Sequence, residues 1–472
     1  MSTKVNVSEV RGTVDRHFGE YLEDLKSLVR IPSISFAGFD EKSVRKSAEA
    51  VAKLMKKRGL ENVEVLDVEG AHPYAYGEWL HAGPKAPTLL LYAHHDVQPV
   101  GREAAWTSPP FEPVERQGPA GLRLYGRGTA DDKAGILIHL AAIDAYLKSA
   151  GKLPVNVKVV IEGEEEIGSV HLGMFLQKYR ERLSADVLVL TDTGNFDSGV
   201  PGITIALRGL ASLEVEVKSL KGPVHSGMWG GPVPDPVLAL AKMLSGLVSS
   251  EDGSIELRSI KDNFKEPEGA EYDRMKAIPF DETAFREASG MLTGVEILRR
   301  GPSVPGQLWR YPSLTVTAIQ ASSRAQAGNI INDAAWAKVS IRLVPGLDPK
   351  EVLDDLQMTL KQAAPWGVQV EFSHANGANA WSTDPEGPVY EAAAIALEKG
   401  YGVKPVFFGC GGSIPFVRPF AKALGGVPAL LIGVEDPHTQ AHGENESLLI
   451  SDFLKSIHSQ VELFNEVLKA WK

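Results

Sequence analysis

The sequence predicts an α/β fold, a mainly parallel sheet sandwiched by helices, with a smaller two-layer α+β domain inserted into it. Three observations carry this reading. Short, unalternated apolar runs at residues 88–93, 155–161, 187–190 and 429–432 read as strands buried on both faces. Apolar residues at helical spacing lie between and around them. In the middle of the chain the pattern changes, because Leu213, Val215 and Val217 alternate with Glu214, Glu216 and Lys218. Such alternation marks a strand with one wet face.

Taken in order, Val14, Phe18, Leu22, Leu25 and Val29 predict an opening amphipathic helix. Pro32 closes it, since proline lacks an N–H and disfavours a helical residue before it. Ile136, Leu140, Ile143 and Leu147 predict a helix that Gly151 stops, and Leu454, Ile457, Val461, Phe464 and Leu468 predict the last one. The wet-faced strand at 213–217 has companions near 313–319, 337–343 and 368–372, with helical stretches at 235–248 and 349–364 among them. The expected organisation is therefore a discontinuous α/β domain, 1–206 and 385–472, and an inserted two-layer α+β domain, 207–384. Within the insertion, residues 251–306 are rich in charge, Pro and Gly and read as a helical or irregular excursion.

Composition narrows the function. With 472 residues, 43% hydrophobic and 23% charged, the chain is neither disordered nor fibrous. A net charge of −11 without any Lys/Arg block excludes a nucleic-acid partner, which needs a concentrated cationic face. No run of 18 apolar residues occurs, so no membrane span is expected. The single cysteine, Cys410, forms no internal disulfide, and the polar first eleven residues lack the apolar core of a signal peptide. Both favour the cytoplasm.

The chemistry lies where the apolar runs end. Ala93 leads into His94-His95-Asp96, Ile161 into Glu162-Gly163-Glu164-Glu165-Glu166, Leu190 into Thr191-Asp192, and Ile432 towards His438 and His442. Open α/β sheets place ligand sites at the carboxyl ends of strands. Imidazole and carboxylate gathered at one such edge point to a metal centre, because few other partners offset their desolvation. Asp131-Asp132-Lys133, after Tyr125-Gly126-Arg127-Gly128, adds two carboxylates at a helix start. Each feature alone has an ordinary reading: a capping pair at His94 and Asp96, an N-cap at Asp131, a solvated acidic turn at Glu162–Glu166, a loop histidine at His225. Their conjunction carries the metal reading.

These motifs appear in the order found in a known family. The chain resembles the co-catalytic zinc exopeptidases and deacylases, which include acetylornithine deacetylase, succinyl-diaminopimelate desuccinylase, aminoacylase and carnosinase. The residues concerned are Tyr92-Ala-His94-His-Asp96-Val-Gln-Pro99, Gly126-Arg-Gly-Thr-Ala-Asp131-Asp-Lys133, Glu162-Gly-Glu-Glu165-Glu166-Ile-Gly-Ser169, Thr191-Asp192, Val224-His225-Ser-Gly227 and Ala441-His442-Gly-Glu-Asn-Glu446. Trp309-Arg-Tyr-Pro-Ser313, Ser340-Ile-Arg342-Leu-Val-Pro345 and Gly411-Gly-Ser413-Ile-Pro415 make the cytosolic non-specific dipeptidase branch the most similar.

The resemblance implies two divalent metal ions per subunit, zinc before manganese or cobalt, bridged by Asp131. One is expected on His94 and Asp192, the other on Glu166 and His442. It implies Asp96 as the residue orienting His94, and Glu165 as the general base that takes a proton from the metal-bridging water and passes it to the leaving amine. In this family the peptide bond after the bridging aspartate is often cis. The resemblance further implies that His225 of the inserted domain stabilises the oxyanion in a partner subunit's site, so that a homodimer is needed. Arg342 and Ser413 match positions that hold the substrate carboxylate, and His374 and Asn329 are further substrate-contact candidates. One departure stands out: Gly409-Cys410 replaces the Arg-Glu pair that precedes Gly-Gly-Ser in related dipeptidases.

The expected activity is hydrolysis of the amide bond of short peptides. The same centre also suits deacylation or decarbamoylation of N-substituted amino acids, since the two differ only in what lies beyond the scissile carbonyl. An amino group needs an acidic or carbonyl anchor, an acyl tail an apolar pocket. A non-catalytic binding protein on this scaffold predicts a lost base or ligand, yet Glu165 and all five candidate ligands are present. No Gly-x-Ser-x-Gly elbow and no His-Glu dipeptide occurs, which excludes serine-hydrolase and His-Glu-x-x-His chemistry.

Overall fold

The computed structural model describes residues 5–411 and 417–471. They divide into two compact units. The first comprises the chain up to Ile205 together with Asp384–Phe408 and the C-terminal segment, and the second is Ala206–Thr383 with residues 409–411.

In the first unit, the apolar runs form the strands Thr88–His94, Asn156–Glu162, Val187–Leu190 and Ala429–Leu431. The sheet order is Glu61–Leu66, Tyr74–Trp79, Asn156–Glu162, Thr88–His94, Val187–Leu190, Ala429–Leu431, Gly202–Leu207. Its three central pairings are parallel. The flanking pairings are antiparallel, so the parallel character predicted from sequence belongs to the centre of a mixed sheet. Glu61–Leu66 and Tyr74–Trp79 are joined by too few residues for a helical crossover, which forces an antiparallel pair.

The predicted helices are present. Val7–Val29 opens on the Asn6 side chain, which accepts the Ser8 N–H. Lys133–Ala150 is buried along nearly its whole length and stops at Gly151, whose φ of +66° is the left-handed conformation a C-terminal glycine supplies. With Pro388–Tyr401 and Ile450–Ala470 these helices pack into one core against the sheet, around Tyr146, Ile143, Phe453 and Phe464. Glu41–Lys57 covers the Tyr74–Trp79 strand, an amphipathic helix that the sequence reading passed over.

Register then fixes the site. His94 lies opposite Glu162, and Tyr92 opposite Leu190, so the strands reach one edge together. A separate three-stranded sheet pairs Ser447–Leu449 with Gly121–Tyr125, Ser447 opposite Tyr125. This pairing ties the segment after His442 to the loop that leads into Asp131.

The second unit is a four-stranded antiparallel sheet in the order Ser313–Gln320, Ala334–Leu343, Gly209–Lys218, Gln369–Ala378. Helices Pro236–Ser245 and Pro349–Ala363 cover one face, and Leu213, Val215, Val217, Val339 and Ile341 fill the space beneath them. The other face carries Glu214, Glu216 and Lys218, as the alternation requires. Residues 251–306 include the helices Arg258–Asn263, Gly269–Lys276 and Glu282–Ser289. Among the described residues no helix is long and apolar enough to cross a membrane.

Candidate metal centre

Asp131 is the hub of the first unit's sheet edge. Its Oδ1 lies 3.0 Å from His94 Nε2 and its Oδ2 3.0 Å from His442 Nε2. His94 Nε2 also approaches Asp192 Oδ1 at 3.5 Å, and His442 Nε2 approaches Glu166 Oε2 at 3.3 Å. Two donor sets result, His94–Asp131–Asp192 and Asp131–Glu166–His442, each with its ligand atoms within 4.8 Å of one another. The peptide bond from Asp131 to Asp132 is cis.

Backbone chemistry places each donor. His94 is the last residue of its strand and is fully buried. Its Nδ1 faces the Asp96 carbonyl at 3.1 Å, which puts the ring proton on Nδ1 and leaves Nε2 as the lone-pair donor. Asp96 does more than orient this ring. Its Oδ1 accepts the Glu165 N–H at 3.2 Å, and its Oδ2 accepts the Glu166 N–H at 3.0 Å and the Ser35 hydroxyl at 2.7 Å. One carboxylate thus fixes the turn that presents both glutamates. Gly163 makes that turn possible, because a Cβ there would sit 2.5 Å from the Pro73 carbonyl oxygen. Glu166 is held from the other side by Gln98, whose backbone N–H and side-chain amide donate at 3.0 and 2.7 Å.

Asp131 is positioned by a residue to which the sequence reading gave no role. Glu446, fully buried, accepts Arg127 Nη1 and the Gly128 N–H at 2.8 Å each on one oxygen. Its other oxygen accepts the N–H groups of Ala130 and Asp131 at 3.1 and 3.2 Å. In the same region Asp436 forms a bidentate pair with Arg123, at 2.8 Å to each nitrogen, and accepts the His438 N–H at 2.9 Å. Asp436 thereby caps the turn that contains His438. Among the described residues His438 belongs to neither donor set, which leaves His442 as the histidine of that strand end.

The electrostatics bear on what the site can hold. Burial works against charge on His94, but Asp192 and Asp131 hold its imidazole well above the usual histidine range. Burial also opposes ionisation of Asp131, yet hydrogen bonds from His442 and His94 draw its carboxyl well down. Glu165, Glu166 and Asp192 go the other way, pushed up by burial and then by the neighbouring carboxylates. Too many carboxylates face too few cations. Divalent ions reverse that balance, and one imidazole with shared and unshared carboxylates is a donor set that binds them. The residues therefore fit the metal ions that the sequence implies.

The remaining sequence-predicted residues lie in the second unit. His225 is exposed and caps a short turn, its Nδ1 accepting the Gly227 N–H at 3.1 Å. In the neutral ring the proton is then on Nε2, free to donate. Across a two-stranded pair His225 lies opposite Ile330, and the carbonyl of Asn329, just before that strand, accepts the Ser226 N–H at 2.8 Å. Arg342 is half-buried near the end of its strand, opposite Ser313 and Leu210. His374 is exposed at a bulge, held by Glu214 at 2.9 Å. Ser413 lies outside the described residues. At the departure, a Cβ on Gly409 would meet the indole of buried Trp309 at 2.3 Å, so Trp309 packs directly on this glycine.

The chain is similar to proteins of known activity along most of its length. It is 36% identical over 366 residues to a cysteinylglycine-S-conjugate dipeptidase of Corynebacterium striatum, covering 77% of each chain. It is 30% identical over 474 residues to a Cys-Gly metallodipeptidase of Candida albicans, covering 96% of this chain and 95% of that one. The crystal structure of human carnosine dipeptidase 1 superposes with a TM-score of 0.83 at 26% identity, covering 99% of both chains. The model of peptidase family M20/M25/M40 matches residues 90–466, a span that takes in every donor of the two sets, and the chain belongs to that family.

Proposed function

We propose that the chain hydrolyses dipeptides at a centre of two zinc ions, one held by His94 and Asp192 and the other by Glu166 and His442, with Asp131 between them. The protein is a metal-dependent dipeptidase, as are its relatives across nearly the whole chain. The observation that carries the two-ion reading is Asp131 itself, which directs one carboxylate oxygen to each histidine at the same 3.0 Å. Bound divalent ions supply Lewis acidity to a substrate carbonyl and lower the pKa of water.

The chain's own residues do the rest. Glu165 belongs to neither donor set, and its backbone is pinned by Asp96, so its carboxylate is free to take a proton and return it to the leaving amine. Adjacent Glu166 is committed to Gln98 and His442, which divides proton transfer from metal holding. Arg342 offers a guanidinium to the substrate's free carboxylate, and Ser413, His374 and Asn329 are further contacts. His225 donates from Nε2 to the developing oxyanion of a partner subunit's site, which makes the working form a homodimer through the inserted domain. The lone Cys410 supports a cytoplasmic setting.

The test is a mass-spectrometric turnover screen of zinc-reconstituted protein against a pool of dipeptides, N-acetyl amino acids and N-carbamoyl amino acids, with a chelator-treated control. Chelator-sensitive loss of dipeptides is expected. Loss of the acylated or carbamoylated compounds alone would move the substrate to the deacylase side.

A further inference from the structure

One segment of the first unit, residues 98–107, braces both unshared ligands of the second donor set. At its start Gln98 holds Glu166 through its backbone N–H and its side-chain amide. The carbonyls of Pro99 and of Gly443, the residue after His442, both accept Arg127 Nη2 at 3.1 Å. Farther along, Asn445 makes three hydrogen bonds: its Oδ1 accepts the Thr107 N–H at 2.8 Å and Arg116 Nη2 at 3.3 Å, and its Nδ2 donates to the Ala105 carbonyl at 2.9 Å. Beside it, Glu444 Oε1 accepts the Arg102 N–H at 3.1 Å and Arg102 Nε at 2.9 Å. None of these bonds involves His94 or Asp192. His94 is instead the last residue of one sheet strand, and Asp192 follows another by two residues.

We infer that Asn445 is a positioning residue that sets the His442 imidazole, with residues 98–107 as the brace it works against. The inference rests on the two-ion reading and deepens it. The His442 side chain is 59% exposed whereas that of His94 is fully buried, so packing does not place His442 and its backbone turn must. That turn is closed by the Gly443 N–H on the Gln440 carbonyl at 2.8 Å and by the Ser447 N–H on the Thr439 carbonyl at 2.9 Å. Within it Gln440, His442 and Asn445 all take left-handed backbone conformations, with φ of +56°, +63° and +63°. Side chains other than glycine enter this region at a steric cost and stay there only where their surroundings fix them. Asn445 supplies that fixing, because its bonds leave the turn and end on Ala105, Thr107 and Arg116. The two unshared ligands of one ion therefore hang on a single segment, Glu166 through Gln98 and His442 through Asn445. Partners that orient a ligand in this way tune its metal affinity.

The experiment titrates zinc into the chelator-stripped full chain against a competing chromophoric chelator, for the wild type, Asn445→Ala, Asn445→Asp and Tyr146→Phe. The last is a control that loses a buried hydrogen bond to the Val461 carbonyl. The expected result is two ions in the wild type, and in Asn445→Ala one ion at wild-type affinity and the other bound about 10-fold or more weakly. Asn445→Asp keeps an acceptor for Thr107 and Arg116 and should recover most of the loss, while Tyr146→Phe should bind both ions like the wild type. Linkage requires the reciprocal effect in the wild type itself: zinc loading should slow amide exchange at Thr107 by about tenfold, a readout that needs no variant to fold. Equal weakening of both ions in Asn445→Ala, the same weakening in Tyr146→Phe, or a Thr107 amide indifferent to zinc would overturn the inference. A wild type that binds a single ion would overturn the two-ion reading and this inference with it. Two ions in the wild type with an unchanged titration of Asn445→Ala would overturn the inference alone.

Discussion

Replacing Glu446 by glutamine tests how the fold holds the bridging aspartate. All four of its partners are donors: Arg127 Nη1 and the Gly128 N–H on one oxygen, the Ala130 and Asp131 N–H groups on the other. A glutamine offers one accepting oxygen and turns an NH2 towards the remaining pair. If the oxygen stays with Arg127, two buried N–H groups lose their acceptor at roughly 1–3 kcal/mol each. If it turns to Ala130 and Asp131, Arg127 is left charged and unpaired inside the protein, at roughly 3–5 kcal/mol. Either way the variant should lose about 3 kcal/mol from the first unit. Amide hydrogen exchange on metal-free protein reads this directly. Protection at Ala130 and Asp131, or at Gly128, should fall by about two powers of ten, and zinc affinity should fall with it as Asp131 loosens. Unchanged protection and affinity would refute the claim that Glu446 positions Asp131.

Other expectations follow from the same geometry. Glu165→Gln should retain its zinc and lose about 10²–10⁴ in kcat, measured on a cleaved dipeptide; full turnover would remove it as the base. His225→Ala should form the same oligomer by sedimentation yet turn over at least about 10²-fold more slowly, and wild-type rates would remove its oxyanion role. Buried His139, whose ring faces the Tyr92 carbonyl at 3.1 Å, is held by burial down to about 4. Its neutral form is the folded form, so its contribution is complete above about pH 6.5 and is lost as pH falls towards 4, where the unfolded chain binds the extra proton. Between those values the stability of His139→Gln should fall less steeply than wild type, by up to about 1.4 kcal/mol per pH unit in urea titrations; parallel curves would show that His139 is not the buried neutral group.

The strand ends were legible because a strand buried on both faces leaves an uninterrupted apolar run, and the polar residue that breaks it marks the sheet edge. The four runs at 88–93, 155–161, 187–190 and 429–432 became four neighbouring strands, and His94, Asp192 and the Glu162–Glu166 turn followed from them. The alternation at 213–217 was equally readable, since each wet-face residue there is a charge. What the sequence hid were functions served by pairing across long separations. Glu446 and Arg127 are 319 residues apart, and nothing local distinguishes Glu446 from a solvated acid. The flanking antiparallel strands escaped notice because Glu61–Leu66 and Tyr74–Trp79 are only partly apolar and mimic surface segments.

The measurement that tests the central claim most directly is the number of metal ions bound per chain, determined by elemental mass spectrometry after zinc reconstitution. It should be made on the wild type, Asp192→Asn and Asp131→Asn, with dipeptide turnover measured in parallel. A centre hinged on Asp131 predicts two ions in the wild type, about one in Asp192→Asn and fewer than one in Asp131→Asn, with activity lost in both variants. A wild type that binds a single ion, or an Asp131→Asn variant that keeps its full complement and its turnover, would contradict it.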